Sequence, residues 1–204
     1  MATPDLNEGS NFYKKKYKKL KKKAASDRTS ERQVVTWFHV TSTNLYSRRQ
    51  ILDTKAGLMI TVNSIIISVL IGTLYTEVQG APELLFGLIP MVIANVVSIF
   101  FAVLATRPAL ANGTFSREDI KGANASLNTF DDFYRMEEEE YRWGVNEIIK
   151  TTKGIQNSYL KENYRLGIDL GIRYKRMKTS YHAFLTGLIL SLTGFAVCQI
   201  LLAG

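Results

Sequence analysis

The stretch GLMITVNSIIISVLIGTLY, residues 57–75, decides the fold because it contains no Asp, Glu, Lys or Arg. About 20 apolar residues in an α-helix cross the roughly 30 Å hydrocarbon core of a bilayer. Residues 84–105 and 181–203 are also uncharged and of similar length. A soluble helix of that length shows a polar face at 3.6-residue spacing, whereas these stretches are apolar all round apart from small residues, Asn63 and Asn95. The sequence therefore predicts an all-α membrane protein with three transmembrane helices.

The distribution of positive charge predicts the orientation of the spans. The chain has 26 Lys and Arg against 18 Asp and Glu; half of the basic residues precede Gly57, and the other half lie between Arg107 and Lys178. The loop between the first two spans and the residues after the third span contain none. Short loops rich in Lys and Arg stay in the cytoplasm. We therefore expect the N-terminus and the central region in the cytoplasm, as long cytoplasmic helical extensions of the spans, and the C-terminus outside.

The chain divides into segments where its apolar pattern changes. The N-terminal lysine run has no apolar stripe wide enough to fold alone; its charge either orients the first span or attracts anionic lipid or nucleic acid. Ser30 with Gln33 matches a capping box, which predicts a helix start. Ser116 with Asp119 predicts another, and apolar spacing predicts one helix over about 131–152 and a further one continuing into the third span. The predicted segments are a basic mobile tail (1–29), a cytoplasmic helix leading into the first span (30–56), a transmembrane hairpin (57–105), a cytoplasmic helical region and candidate sensor (106–180) and the third transmembrane helix (181–204).

Small and polar residues within the spans predict how the helices associate. Lipid tails are as apolar as leucine, so membrane helices pair through small residues and interhelical hydrogen bonds. The small-residue stripes are Gly57, Thr61, Ser64, Ser68 and Gly72 in the first span, Gly87, Ala94, Ser98 and Ala102 in the second, and Gly187, Ser191, Gly194 and Cys198 in the third. They either pack the three helices of one chain or pair chains into a homo-oligomer.

Two amides stand out inside the apolar stretches. Asn63 and Asn95 are the most polar side chains there, and each needs a hydrogen-bond partner. An interhelical hydrogen bond is the ordinary explanation, and lining of a wet passage is the alternative. The candidates for membrane packing or a pore are Asn63, Ser64, Ser68 and Asn95.

Signals of catalysis are weak in this sequence. It has no Gly-rich phosphate loop, no pair of histidines at metal-ligand spacing and no nucleophile elbow. The four carboxylates of 137–140 would spread around a helix instead of converging on a substrate. We therefore expect no enzyme activity, no catalytic residue, no metal and no cofactor, and an enzyme with a membrane anchor is the weakest hypothesis.

Several stretches together resemble a known family. They are DTKAG at 53–57, Asn63 with Ser64, VSIFFAVLATRP at 97–108, YRLGIDL at 164–170 and RYKRMK at 173–178. These stretches resemble the transmembrane Pycsar effector family, over about residues 52–195. The chain departs from the family at 127–133, LNTFDDF, where a Phe-Gly-rich stretch is usual. Some members carry a phosphohydrolase-type domain ahead of the spans, and we expect none here.

The resemblance implies an antiviral defence effector of the bacterial cell inner membrane. Such an effector senses a cyclic pyrimidine mononucleotide, cUMP or cCMP, from a partner pyrimidine nucleotide cyclase, and it impairs the membrane so that infection is abortive. The expected partners are thus membrane lipid, the cyclic mononucleotide, the cyclase and further copies of the chain. The alternative is a non-catalytic membrane scaffold that anchors a partner through its cytoplasmic helices.

The expected ligand suggests which side chains would hold it. A cyclic mononucleotide has one phosphate charge and a flat base, so its site should pair Arg or Lys with an aromatic ring. The segment before the third span offers Arg165 and Arg173 beside Tyr164 and Tyr174, and these are the ligand-binding candidates. The neighbouring residues Lys175, Arg176 and Lys178 lie closest to the bilayer and are better explained as topology anchors.

Overall fold

The computed structural model describes residues 6–77, 80, 84–107, 112–122 and 124–203. No strand occurs in this part of the chain, which confirms the all-α fold class. The helices are α1 (Leu6–Glu77), α2 (Leu85–Thr106), α3 (Arg117–Lys121), α4 (Phe130–Phe133), α5 (Glu138–Ile149) and α6 (Thr152–Ala203).

Three of these helices are long and apolar enough to cross a membrane. The candidate spans are Thr29–Thr76 within α1, Leu85–Thr106, which is all of α2, and Thr152–Ile200 within α6. Each contains one of the uncharged stretches of the sequence, which confirms the three predicted spans by length and composition. The 22 residues of α2 measure about 33 Å along the axis, close to the thickness of the hydrocarbon core.

Two helix boundaries differ from the sequence predictions. Helix α1 begins at Leu6 and not near Ser30, because the Lys, Leu and Ala residues of the basic segment are good helix formers. The single helix predicted over 131–152 is wrong, since α4 and α5 are separated by a turn in which the Arg135 amide donates to the Gly113 carbonyl at 2.9 Å. This hydrogen bond takes the backbone out of the helical pattern. The mobility predicted for 1–29 stays a prediction.

The chain forms two compact units, each built from separated parts of the sequence. The loop-rich unit comprises Met1–Thr43 and Asn112–Asn163, and the bundle unit comprises Asn44–Ala111 and Tyr164–Gly204. The boundaries fall inside α1 and α6, so each of these helices contributes to both units.

A small apolar core holds the loop-rich unit together. Ile120, Ala125 and Leu127 are buried at its centre. Helix α3 is held at its start by the predicted capping box, in which the Asp119 amide donates to the Ser116 hydroxyl at 3.1 Å. The partly buried side chains packed against this core are Phe115, Phe133, Met136, Tyr141, Trp143, Val145 and Ile148.

The parts of α1 and α6 in the loop-rich unit also contact each other. Phe38 stacks on Tyr159 with ring centroids 6.3 Å apart. The Ser42 hydroxyl donates to the Asn163 side-chain oxygen at 2.6 Å, and the Asn163 amide donates to the Phe38 carbonyl at 3.3 Å. Apolar and polar contacts thus set the register of the two helices here.

The bundle unit consists of α2 and the membrane-long parts of α1 and α6. On α6, Arg173, Met177, Ser180, Gly187 and Ser191 are buried, and they recur at intervals of three, four or seven residues. This spacing is typical of helices that cross at about 20°. The buried apolar residues at the end of the bundle near Thr106 are Leu52, Ala56, Met59, Ala102, Ala105 and Met177.

Candidate functional site

Small residues bring α2 and α6 into close contact within the bundle unit. A Cβ atom added at Gly187 would lie 1.9 Å from the Ala94 Cβ, and one at Gly194 would lie 2.7 Å from the Phe86 carbonyl oxygen. Pro90 has no N–H to donate to the Phe86 carbonyl, so that oxygen is free to face the neighbouring helix. The stripes of the second and third spans therefore pack against each other within one chain.

The stripe of the first span has a different environment. Thr61, Ser64 and Ser68 are exposed, and a Cβ atom added at Gly57 or Gly72 would meet nothing within 4 Å. The buried face of α1 carries Leu52, Ala56, Met59 and Asn63 instead. The structure therefore divides the four membrane candidates, because Asn63 and Asn95 lie inside the bundle and Ser64 and Ser68 lie on its surface.

A line of three polar side chains crosses the interior of the bundle unit. The Asn63 amide donates to the Ser98 hydroxyl at 3.0 Å, and the Ser98 and Ser180 hydroxyl oxygens lie 3.0 Å apart. Ser180 uses its proton on the Ser98 carbonyl at 2.8 Å, so the Ser98 hydroxyl donates to Ser180. All three side chains are fully buried. Each helix contributes one member, which confirms the interhelical hydrogen bond predicted for Asn63.

Asn95 lies one turn from Ser98 on α2 and is satisfied less completely. Its amide donates to the Met91 carbonyl of its own helix at 2.7 Å. The side-chain oxygens of Asn63 and Asn95 are buried and have no hydrogen-bond partner among the described residues. An oxygen of this kind costs about 1–3 kcal/mol in the apolar interior. The bundle therefore holds two acceptors that a rearranged state could pair.

Arg173 joins all three helices at the end of α2. The Arg173 side chain is fully buried, and its Nε donates to Asp169 at 2.7 Å, its Nη1 to the Ala105 carbonyl at 3.2 Å and its Nη2 to the Arg107 carbonyl at 3.0 Å. Its Nη1 also lies 3.6 Å from an Asp53 carboxylate oxygen of α1. We call these five residues the Arg173 network.

The Arg173 network satisfies the C-terminus of a membrane helix. The last four carbonyls of a helix have no partner within it, and positive charge near them is stabilising. Arg176 adds a bond to the Leu104 carbonyl at 2.9 Å. The sequence prediction missed this capping role. The signal for it was Pro108, which follows α2 in the sequence and marks a helix end whose carbonyls need donors from the basic segment before the third span.

Comparison with known proteins identifies the family. The family model described as the Pycsar effector protein domain matches residues 36–200, which is most of the chain and includes parts of both units. The chain belongs to the Pycsar effector family. No curated protein and no solved structure matches it. This membership supports a role as an antiphage defence effector, and the family implies a cyclic nucleotide signal from a cyclase partner. The three candidate spans indicate a membrane protein.

The four predicted ligand residues of this Pycsar effector lie at two different places along α6. Tyr164 is 73% exposed at the start of the α6 part of the bundle unit, and Arg165 beside it is half-buried and engaged with a neighbour. Arg173 is a helix-capping side chain, so a ligand role for it would require its network to open. Tyr174 is 42% exposed and lines a separate groove between α1 and α6.

Charged side chains on the loop-rich unit of the effector pair with one another. The Arg117 guanidinium donates two hydrogen bonds to Glu140, at 2.6 and 3.0 Å, and lies over the Trp143 ring. These hydrogen bonds and the opposite charge lower the pKa of Glu140 and raise the pKa of Arg117. The Ser116 hydroxyl and amide lower the pKa of Asp119 in the capping box. These charges stabilise local structure on the surface of this unit.

Proposed function

We propose that this Pycsar effector is a non-catalytic sensor that binds cUMP or cCMP from a partner pyrimidine nucleotide cyclase and then impairs the bacterial inner membrane, so that infection is abortive. The observation that carries the proposal is the family match over 36–200, a range that includes two of the three candidate spans entirely and most of the first one. The absence of an evident catalytic pattern in the sequence favours a physical output over a chemical one.

The proposed orientation follows the positive charge of the sequence. The loop-rich unit and the Arg173 network face the cytoplasm, where a cyclase would release its product. Arg165 and Tyr164 are the best candidates for ligand contact, because the exposed ring of Tyr164 offers a surface for the base and Arg165 a charge for the phosphate. A ligand shifts the protein between states only if it binds them with different affinity.

The bundle unit offers features that a second state would use. Two buried amide oxygens, on Asn63 and Asn95, gain partners if the helices rearrange. The outward-facing stripe around Ser68 gives a second copy of the chain a surface on which backbones approach closely. We therefore propose that activation rearranges the bundle and assembles a homo-oligomer, which damages the bilayer.

Purified full-length protein in dye-loaded vesicles tests ligand and output together. We expect cUMP or cCMP to release dye and the purine cyclic mononucleotides to do so only at higher concentration. Arg165→Gln should raise the required concentration. The matched control Arg142→Gln should not, because Arg142 is 73% exposed and pairs with Glu138, which is also exposed. Vesicles that stay intact with every cyclic mononucleotide would refute the proposed output.

The assembly step has its own matched pair of variants. Ser68→Leu places a bulky side chain on the stripe, and Val69→Leu enlarges a neighbouring side chain that is 63% exposed. Both positions are exposed, so neither substitution disturbs the bundle of one chain. We expect Ser68→Leu alone to reduce the nucleotide-dependent crosslinking of chains in the membrane. Equal crosslinking in the two variants would remove the stripe from the assembly model.

A further inference from the structure

A groove between α1 and α6 in the bundle unit combines a buried apolar floor with a basic rim. Leu52 and Met177 form the floor and are 1% and 4% exposed. Lys55 of α1 and Lys175 and Lys178 of α6 stand at the rim, and all three are exposed. None of the residues that line the groove carries a carboxylate. The groove thus concentrates positive charge beside apolar surface.

The three lysines of the groove have no ion pair within the part of the chain that the structure describes. Lys150 and Lys161, in the loop-rich unit, are instead engaged with Glu147 and Asn124. Unpaired ammonium groups on two facing helices repel one another unless an anion lies between them. The arrangement therefore fits an anionic partner better than a role in holding the helices together.

The chemistry of the groove changes along the helix axis. Lys55 and Lys178 lie two and three residues before the apolar stretches of the first and third spans. Tyr181 and His182 follow, and Leu185, which is 50% exposed, continues the lining into the span. Lys178 and Leu185 are about 10 Å apart along an ideal helix. A phospholipid has the same order over a similar length, with a phosphate at the interface and an acyl chain below it.

We propose that this groove is a binding site for one anionic phospholipid of the leaflet that the lysines face. The headgroup phosphate lies between Lys55, Lys175 and Lys178, and an acyl chain covers Met177 and Leu185. Basic pockets between membrane helices on the cytoplasmic side bind anionic lipid headgroups in this way. The site does not depend on the nucleotide response and would be occupied in the resting protein.

The three lysines set the size of the expected effect. One basic residue near an anionic lipid surface contributes about a five-fold preference, so three contribute about a hundred-fold if all contact the phosphate. Replacing all three by Gln should reduce the preference for anionic over zwitterionic lipid by about ten-fold or more. Replacing all three by Arg keeps the charge and should keep most of the preference.

The experiment measures which lipid stays bound to the full-length protein. The protein is reconstituted in nanodiscs of phosphatidylglycerol and phosphatidylcholine in equal parts and released for native mass spectrometry. The test variant combines Lys55→Gln, Lys175→Gln and Lys178→Gln. The control removes the same charge from exposed positions of the loop-rich unit, by Lys121→Gln, Arg142→Gln and Lys153→Gln. Circular dichroism checks that each variant remains helical.

The results distinguish a lipid site from non-specific lipid adhesion and from a site for a soluble anion. Retained phosphatidylglycerol in the parent, the control and the Arg variant, with loss in the Gln variant, supports the proposal. Equal retention by the Gln variant and the control overturns it, as does retention of both lipids without preference by the parent. Separate arms add inorganic phosphate or cUMP to the parent; displacement of the lipid by either would assign the groove to a soluble phosphate instead.

Discussion

Replacing Arg173 by Gln should destabilise the bundle unit more than any other single loss of charge in the protein. The substitution removes three charge-assisted hydrogen bonds, to Asp169 and to the Ala105 and Arg107 carbonyls, and the ion pair with Asp53. Each such bond contributes about 1.5–3 kcal/mol, and breaking a buried ionic network costs about 3–5 kcal/mol.

The lower end of the range for a buried ionic network, about 3 kcal/mol, applies to Arg173. The side chains of Asp169 and Asp53 are 27% and 43% exposed, so water rehydrates both carboxylates once Arg173 is gone. The two carbonyls at the end of α2 are the groups left without a donor. We therefore expect a loss of about 3 kcal/mol, which lowers Tm by about 6–12 °C for a chain of this size.

Thermal unfolding in detergent micelles, followed by far-UV circular dichroism, measures this loss. Tryptophan fluorescence would not serve, because Trp37 and Trp143 both belong to the loop-rich unit. The Tm of the Arg173→Lys variant should lie between those of the parent and the Gln variant, since an ammonium group cannot reach all the acceptors that a guanidinium group reaches. Arg176→Gln loses one charge-assisted carbonyl bond and should cost about 1.5 kcal/mol.

Two results would count against this reasoning. If Arg173→Gln lowered Tm no more than Arg176→Gln, the Arg173 network would not hold the bundle together. If Arg173→Gln kept the parent Tm but abolished nucleotide-dependent leakage, the ligand role predicted from the sequence would be correct and the capping role wrong.

Three further predictions test packing, local electrostatics and topology. Gly187→Leu should block the close approach of α2 and α6, because even a Cβ atom there would lie 1.9 Å from the Ala94 Cβ. We expect it to lower Tm by several degrees. The control Gly57→Leu should leave Tm unchanged, because a Cβ atom at Gly57 would meet nothing within 4 Å. Because the pKa of Asp119 is lowered, its carboxylate stabilises the cap of α3 fully above the unfolded pKa of about 4, and this stabilisation is lost as pH falls through the folded-state pKa. Hydrogen exchange of the Asp119 amide should show the loss of protection. Asp119→Asn should remove the pH dependence of that protection. A reporter fused after Gly204 should be active only outside the cytoplasm and one near Asn124 only inside, and the opposite result at either position would refute the proposed orientation.

Much of the fold follows from local sequence properties. The length and apolar character of three stretches predict the membrane helices, and the Ser116 capping box predicts the start of α3. These signals depend on a few neighbouring residues and on the length of a helix, so the rest of the structure does not alter them. The break between α4 and α5 could not be predicted in this way, because a hydrogen bond to Gly113, distant in sequence, determines it.

The candidate site was harder to predict than the spans. Arg165 and Arg173 are the same residue type in the same basic segment. Arg165 is half-buried at the start of this segment, whereas Arg173 is enclosed by three helices. The sequence also did not show that Ser68 faces outward while Ser98 is buried and hydrogen-bonded to Asn63. Residue type suggests a chemical role for each of these side chains but does not show which neighbours it meets.

The sequence by itself determined that this Pycsar effector is helical, where its three apolar spans lie and which residues share a helix face. Helical periodicity fixes the angles between side chains on one helix. In a helix that is apolar all round, however, hydrophobicity does not show which side faces a neighbour, and a stripe of small residues does not show whether that neighbour belongs to the same chain. Only the tertiary structure decided that Gly187 meets Ala94, that the stripe around Ser68 stays on the surface, and that Arg173 caps α2, since these depend on complementary shapes and unpaired carbonyls on separate helices.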